Sequence, residues 1–394
     1  MEEKFMLALI GLLTIIIMLA LIMTKKLQTL LALIIVPIIG CLIAGFAGLI
    51  KLEEGSFTIT TLGSFITQGL QSIAPTGVMF IFAILFFGLM SDAGTFDPII
   101  NGILKIVGKS PVKICIGTVI LTSVVHLDGS GAATFLIVIP AMLPLYKKMG
   151  MRATTLATLT AIGAGIMNML PWGGPTIRAI SAMDSTVGEV FTPMFIPMIC
   201  GYAMGIVVAV ILGKKEAKRI GNVDSIEISL NTDDDLTDEQ KALRRPKLFW
   251  VNIALIVVAI VLLVTSVLPP AVIFMVATAL TLLINYPDIA TQKKLVDSHA
   301  ESALMMASML FAAGSFIGIM THSGMLTAMA EAIVQLIPVS AGRFIPTLVG
   351  VLGVPLSLIF DPDSFYYGVL PILSQAVGQM GLDPLMVARA AIAF

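Results

Sequence analysis

Three groups of polar residues interrupt the apolar stretches of this sequence, and the first lies in the string HLDGSG. It places Asp128, Ser130 and Gly131 inside the apolar run 112–146, which is longer than the ~20 residues of one membrane span and is basic at both ends. Two antiparallel helical legs that meet at DGSG would explain this length. A non-helical tip at membrane depth lines a cavity, and the N–H groups that begin the second leg suit an anion. The alternative is a surface loop between two helices.

The second group is the string NMLPWGGPTIRA, in which proline and glycine break a helix. A proline suits the first turn of a helix, so a new helix is predicted to begin beside Thr176. The guanidinium of Arg178 matches a carboxylate with two parallel hydrogen bonds. In the alternative interpretation, Arg178 is an interfacial anchor and Trp172 belongs to an aromatic belt. The candidate substrate-binding residues of this string are Asn168, Gly173, Gly174, Thr176 and Arg178.

The third group is the string DPDS, which contains Asp361, Asp363 and Ser364 between two apolar legs. Carboxylate oxygens are the ligands that Mg²⁺ and Ca²⁺ prefer, and a carboxylate at membrane depth also binds a proton. Asp128 belongs to the same class of metal or proton candidates. The alternative for DPDS is a surface turn that the proline favours.

The composition indicates which kind of protein must position these residues. The chain has 394 residues, of which 58% are hydrophobic and 12% are charged, and its mean hydropathy is +1.03. These values exclude a soluble domain and a disordered chain, and the continuous apolar runs exclude an outer-membrane barrel. The predicted fold class is therefore an all-α polytopic membrane protein. A net charge of −1 gives no basic field for nucleic acid. Motifs of metalloproteases, P-loop enzymes and serine hydrolases are absent, so no enzyme is predicted.

The chain divides around a polar segment, which predicts a first transmembrane repeat at 1–213, a charged linker at 214–247 and a second repeat at 248–394. The string GLMSDAGTF at 88–96 resembles GIMTHSGML at 318–326. Most Lys and Arg residues fall on one side if the N-terminus is outside and the linker is cytoplasmic, which favours inverted repeats. Inverted repeats are typical of transporters, which bind substrate where broken helices meet.

Two further expectations follow from this alignment of the halves. The second-half partner of the broken helix would fall beyond residue 394, so we expect a C-terminally truncated sequence. Asp92 and His322 occupy equivalent positions in the two repeated strings, where each is a candidate proton site; a turn at a helix end is the favoured alternative. His299 follows a basic segment, which favours an interfacial position.

With these strings in view, the sequence resembles the citrate–metal:proton symporter family, CitMHS. The resemblance covers essentially the whole chain and is most specific at HLDGSGAATFLIVIPAMLPLY, NMLPWGGPTIRA and DPDSFYYGVLP. It implies two inverted repeats, each with about five transmembrane helices and a re-entrant hairpin, the second repeat being incomplete. It also implies an elevator-type movement. Related folds are often dimers, so a homodimer is expected.

The resemblance implies a secondary active transporter in the cell membrane that imports citrate as a Mg²⁺ or Ca²⁺ complex together with protons. The metal belongs to the transported complex, and no tightly bound cofactor is expected. The residues expected to hold the citrate carboxylates are Ser130, Gly131, Thr176 and Ser364, with added charge from Arg178. The residues expected to face the metal or take protons are Asp128, Asp361 and Asp363.

Alternative functions remain at this stage. One is transport of metal-free dicarboxylates, tricarboxylates or gluconate-like acids, coupled to H⁺ or to Na⁺, because backbone carbonyls at broken helices suit Na⁺. A remote alternative is an intramembrane enzyme or a receptor, against which the missing catalytic motifs count.

Overall fold

The computed structural model describes residues 2–52, 56–99, 102–103, 110–129, 131–221, 238–265, 267–336, 339–357 and 362–392. The described residues are 85% helical and contain no strand. Their α-helices are α1 (Glu2–Met23), α2 (Thr29–Phe46), α3 (Ile59–Asp92), α4 (Pro111–Val125), α5 (Gly131–Lys148), α6 (Ala153–Met167), α7 (Gly174–Ala182), α8 (Val187–Ile220), α9 (Asp238–Leu243), α10 (Phe249–Thr265), α11 (Pro270–Asn285), α12 (Ile289–His322), α13 (Met325–Leu336), α14 (Ile345–Ser357), α15 (Leu370–Gln379) and α16 (Leu385–Ala391).

Six helices of the described chain are long and apolar enough to cross a membrane. They are α1, α2, α3, α8, α12 and the helical stretch Gln240–Leu263. At 1.5 Å per residue, a helix needs about 20 residues to cross a hydrocarbon core of about 30 Å. The predicted fold class, an all-α polytopic membrane protein, is therefore confirmed.

Helices α3 and α12 end in the two strings that resemble each other. Both have 34 residues, and they begin 230 positions apart, at Ile59 and Ile289. Two residues after each helix, Gly94 and Gly324 adopt left-handed backbone conformations with φ of 69° and 78°. This common ending supports the offset between the strings, while the inverted orientation of the halves stays a prediction.

The chain forms two compact units, and the first comprises 1–81, 174–192 and 302–394. In this unit α1 packs against α2 and α13, α13 packs against α15, and α14 packs against α16. Helices α3 and α12 cross in this unit at glycine residues, so their backbones lie close together. A Cβ atom built on Gly69 would lie 2.0 Å from the carbonyl oxygen of Gly314 and 2.8 Å from the Cα atom of Gly318.

The second unit comprises 82–173 and 193–301. Its α4 and α5 both pack against α6, around a buried apolar cluster that also includes Ala209 of α8. The Thr118 and Tyr146 hydroxyl groups lie 2.9 Å apart and join the first half of α4 to the end of α5. Helices α10 and α11 form a further packed pair.

The structure places part of the predicted linker 214–247 in helices. Helix α8 continues to Ile220, α9 covers Asp238–Leu243, and residues 222–237 lie outside the described chain. Helix α8 therefore extends further than the apolar pattern alone indicates. The predicted division into two repeats stays a prediction.

Candidate functional site

The first polar string forms the tip of a helical hairpin in the second unit. Helix α4 ends at Val125, a 3₁₀ turn covers His126–Asp128, and α5 begins at Gly131. Gly129 has φ of 74°, a conformation that suits glycine, and it allows the chain to reverse. Because the first half of α4 contacts the end of α5, the two helices run antiparallel. The predicted hairpin is thus present as a helical pair, and its depth in the membrane stays a prediction.

A buried histidine ties this tip to α6. His126 is 1% exposed, its Nδ1 atom lies 2.7 Å from Thr134 Oγ1, and its Nε2 atom lies 3.0 Å from Asn168 Oδ1. An amide oxygen only accepts, so Nε2 is the ring nitrogen that donates to it. A neutral imidazole then accepts the Thr134 hydroxyl at Nδ1 and satisfies both contacts. The candidate residue Asn168 therefore acts on the tip through His126.

The helix break after α6 is fixed by a second contact to the same tip. The Nε1–H group of Trp172 donates to the carbonyl oxygen of Leu127 at 2.8 Å. The indole is 3% exposed, with its ring centroid 4.9 Å from that of Phe87 and 5.5 Å from that of Phe274. The alternative that places Trp172 in an aromatic belt is therefore wrong.

The glycine that follows Trp172 has no room for a side chain. A Cβ atom on Gly173 would lie 2.1 Å from the carbonyl oxygen of Asn168. The chain therefore turns back tightly on the end of α6 before α7 begins at Gly174. Gly131 is exposed at the start of α5, whereas Ser130 and the side chain of Asp128 lie outside the described residues.

We expect His126→Leu to lower the free energy of unfolding. The substitution removes the hydrogen bonds of the imidazole to the buried Thr134 hydroxyl and the half-buried Asn168 amide, and a typical hydrogen bond contributes about 0.5–1.5 kcal/mol. Thermal unfolding in detergent measures the effect. His322→Leu is the matched control, because His322 is exposed at the end of α12. Equal melting temperatures for the two variants would contradict the role given to His126.

In the first unit, the second polar string continues as helix α7. Thr176 is fully buried in the first turn of α7. Arg178 lies one turn from Gly174, where a Cβ atom would be 2.9 Å from the Arg178 Nη1 atom. The absence of a side chain at Gly174 therefore leaves space for the guanidinium beside the start of the helix.

Arg178 forms an ion pair with Asp363 of the third polar string. Its Nε atom donates to Asp363 Oδ1 at 2.6 Å, and the two side chains are 16% and 13% exposed. Asp363 immediately precedes a π-helical segment, Ser364–Val369, that packs against α7. The structure thus joins two candidate residues that are 185 positions apart in sequence. Arg178 is therefore held by a protein partner, and its depth in the membrane stays a prediction.

The structure gives no side-chain contacts for the other two candidate residues of the third string. Asp361 and the side chain of Ser364 lie outside the described residues. After them, Tyr366 and Tyr367 are buried, and the Tyr366 hydroxyl donates to the carbonyl oxygen of Ala391 at 2.6 Å. These contacts hold the segment that carries Asp363 against the end of the described chain.

The pairing within two polar clusters was not predicted from the sequence. Glu216 of α8 is fully buried and pairs with Arg152 at 2.6 Å and with Arg219 at 2.7 Å. His299 lies 2.8 Å from Asp92 and is 22% exposed, and its interfacial position stays a prediction. The spacing i, i+3 could have linked Glu216 to Arg219, whereas nothing in the sequence connects Asp92 to His299.

The sequence matches the family described as Citrate transporter, CitMHS, over residues 2–393. The chain belongs to the CitMHS family. It is 43% identical over 387 residues to a protein of Bacillus subtilis (strain 168) named "Citrate transporter". It is 40% identical over 387 residues to another from the same organism, named "Mg(2+)/citrate complex secondary transporter". Each comparison covers 98% of this chain and 87% of the relative.

Membership in CitMHS agrees with the apolar helices and the polar breaks between them. The protein is a multi-pass transmembrane citrate transporter and is not an enzyme. The resemblance found in the polar strings is therefore confirmed at the level of the family.

Proposed function

We propose that this CitMHS member imports citrate as a divalent-cation complex, in symport with protons, across the plasma membrane. The observation that carries the proposal is the Arg178–Asp363 ion pair, which places a guanidinium in a mostly buried position of a transporter for a polycarboxylate. The relative named as a Mg²⁺/citrate complex secondary transporter supports the form of the substrate.

The chemistry of citrate explains why a metal helps. Free citrate carries three carboxylates, and a divalent cation that binds them lowers the charge to be moved and fixes their arrangement. Arg178 then binds a carboxylate of the complex through its Nη groups, while its Nε atom stays with Asp363. Backbone N–H groups at the start of α7, beside Thr176, suit a second carboxylate.

Other residues have proposed roles that follow from their polar strings. Ser130, Gly131 and Ser364 are proposed to contact carboxylates, while Asn168 and the two glycines of the break shape the backbone around them. Asp128, Asp361 and Asp363 are proposed to face the metal or to take protons. The metal, Mg²⁺ or Ca²⁺, enters and leaves with the citrate.

The proposed topology follows from the basic residues. With the N-terminus outside and the segment 214–247 in the cytoplasm, most Lys and Arg residues lie on the inner side. We also propose that two copies of this polypeptide form a homodimer.

The proposal is tested by uptake of radiolabelled citrate into vesicles that contain the full chain. Uptake is measured with Mg²⁺, with Ca²⁺ and with a chelator, each with and without an inward proton gradient. We expect chelation to lower uptake by at least about tenfold, because it removes the metal–citrate complex. We expect the proton gradient to raise accumulation when Na⁺ is absent.

Each alternative substrate or coupling ion gives a different result in the same vesicles. Uptake that persists in the chelator would contradict transport of a metal complex, and competition by succinate or gluconate would then indicate a metal-free acid. Accumulation that requires Na⁺ and ignores the proton gradient would contradict proton symport.

A further inference from the structure

A carboxylate and an imidazole meet in the second unit, apart from the hairpin tip. Asp92 is the last residue of α3 and His299 lies within α12, and both helices are candidate membrane spans. The His299 Nε2 atom lies 2.8 Å from Asp92 Oδ2, and the two side chains are 22% and 27% exposed. Ionisable side chains within membrane helices are costly and usually serve function.

The surroundings are shaped to hold the imidazole ring. A Cβ atom on Gly88, one turn before Asp92, would lie 2.6 Å from His299 Cε1 and 2.7 Å from Nδ1. The ring therefore occupies the space that any other residue at position 88 would fill. The same stretches of α3 and α12 contribute to a buried apolar cluster, formed by Leu89, Ala93, Tyr286 and Leu295.

The neighbouring charged groups have other partners. Arg244 pairs with Asp97 at 3.1 Å and donates to the backbone carbonyl oxygens of Ser91 and Asp92. Arg245 lies 4.8 Å from the Tyr286 ring centroid and donates to the Asn285 carbonyl oxygen.

The acidic groups on the same helix and the nearest phenol are also accounted for. In α12 itself, Asp297 and Glu301 are exposed. The Tyr286 hydroxyl donates to the carbonyl oxygen of Leu243 at 3.1 Å. Within the described residues, the hydrogen-bond partner of the Asp92 carboxylate is thus His299.

We propose that Asp92 and His299 form a proton-binding site that couples protons to citrate transport. Without the extra proton, neutral His299 donates its Nε2–H group to the Asp92 carboxylate and the pair carries one negative charge. When a proton binds at Nδ1, the pair becomes an imidazolium and a carboxylate with no net charge. The inference rests on the proposed proton symport.

The test uses the purified full chain in proteoliposomes that contain a pH-sensitive dye. Three quantities are measured: citrate exchange without a gradient, accumulation driven by a pH gradient, and protons moved per citrate. The variants are His299→Gln and Asp92→Asn. His322→Gln is the matched control, since His322 has the repeat position equivalent to Asp92 but stacks on Phe65, with the ring centroids 6.0 Å apart.

We expect both pair variants to keep citrate exchange and to move one proton fewer per citrate. With a gradient of about one pH unit, each coupled proton supplies about a tenfold accumulation, so accumulation should fall by about that factor. His322→Gln should match the unmodified protein in all three quantities.

Three results would overturn the inference. The first is an unchanged proton count in His299→Gln. The second is an equal loss of citrate exchange and of citrate accumulation in both pair variants. A pair with only a structural role would give this result. The third concerns the swapped double variant Asp92→His/His299→Asp, which keeps both groups. We expect it to recover the missing proton. Failure to recover that proton while citrate exchange persists would contradict the site. The proton count of the unmodified protein tests the proposed symport separately. If this protein moves no protons with citrate, proton symport itself is contradicted.

Discussion

Replacing Arg178 by alanine is expected to reduce kcat/KM for citrate uptake by about 10- to 100-fold. A hydrogen bond to a charged group contributes about 1.5–3 kcal/mol, and each 1.4 kcal/mol is a factor of ten. Arg178→Lys keeps the charge but not the planar fork, so we expect it to recover only part of the activity. The measurement is initial citrate uptake at several concentrations, normalised to the amount of protein in the membrane.

Substituting Asp363 together with Arg178 distinguishes an effect on transport from an effect on stability. Arg178→Ala leaves the Asp363 carboxylate, 13% exposed, without its ion-pair partner, and breaking a buried pair from one side costs about 3–5 kcal/mol. Arg178→Ala/Asp363→Ala removes both charges and should regain most of the lost melting temperature without regaining uptake. Uptake that recovers together with stability would show that Arg178 only supports the fold.

Local sequence patterns predict the structure correctly where neighbouring residues determine it. The length and basic ends of the run 112–146 indicate two legs, and the structure shows an antiparallel helix pair that turns at Gly129. The proline and glycine break after Asn168 was also predictable, because neither residue type continues a helix well. These features depend on backbone geometry that a few neighbouring residues set.

Contacts between residues from distant segments are not predictable from local sequence patterns. Arg178 and Asp363 each stood out as candidates, but no periodicity connects two residues that lie 185 positions apart. His299 looked interfacial because of the basic residues before it, and its pairing with Asp92 depends on the packing of α3 and α12. Trp172 looked like a belt residue because tryptophan is common at interfaces, whereas its Nε1–H group anchors the hairpin tip.

Replacing Gly69 by alanine is expected to cause the largest loss of folded protein among single-methyl changes in α3. The new Cβ atom would meet the Gly314 carbonyl oxygen at 2.0 Å and the Gly318 Cα atom at 2.8 Å. Both are backbone atoms of α12, so no side chain can rotate away. Overpacking in a core costs about 1–3 kcal/mol, and a clash between two helix backbones belongs at the upper end of that range.

The matched control lies two turns earlier in the same helix. Gly63 is exposed, and a Cβ atom there would meet nothing within 4 Å. Gly63→Ala should therefore leave the amount of folded protein in the membrane unchanged or raise it, because alanine favours a helix by about 1 kcal/mol relative to glycine. Fluorescence-detected size-exclusion chromatography and melting temperature compare the two variants. Equal behaviour would mean that α3 and α12 separate at little cost, since only a wider helix crossing accommodates the methyl group at position 69.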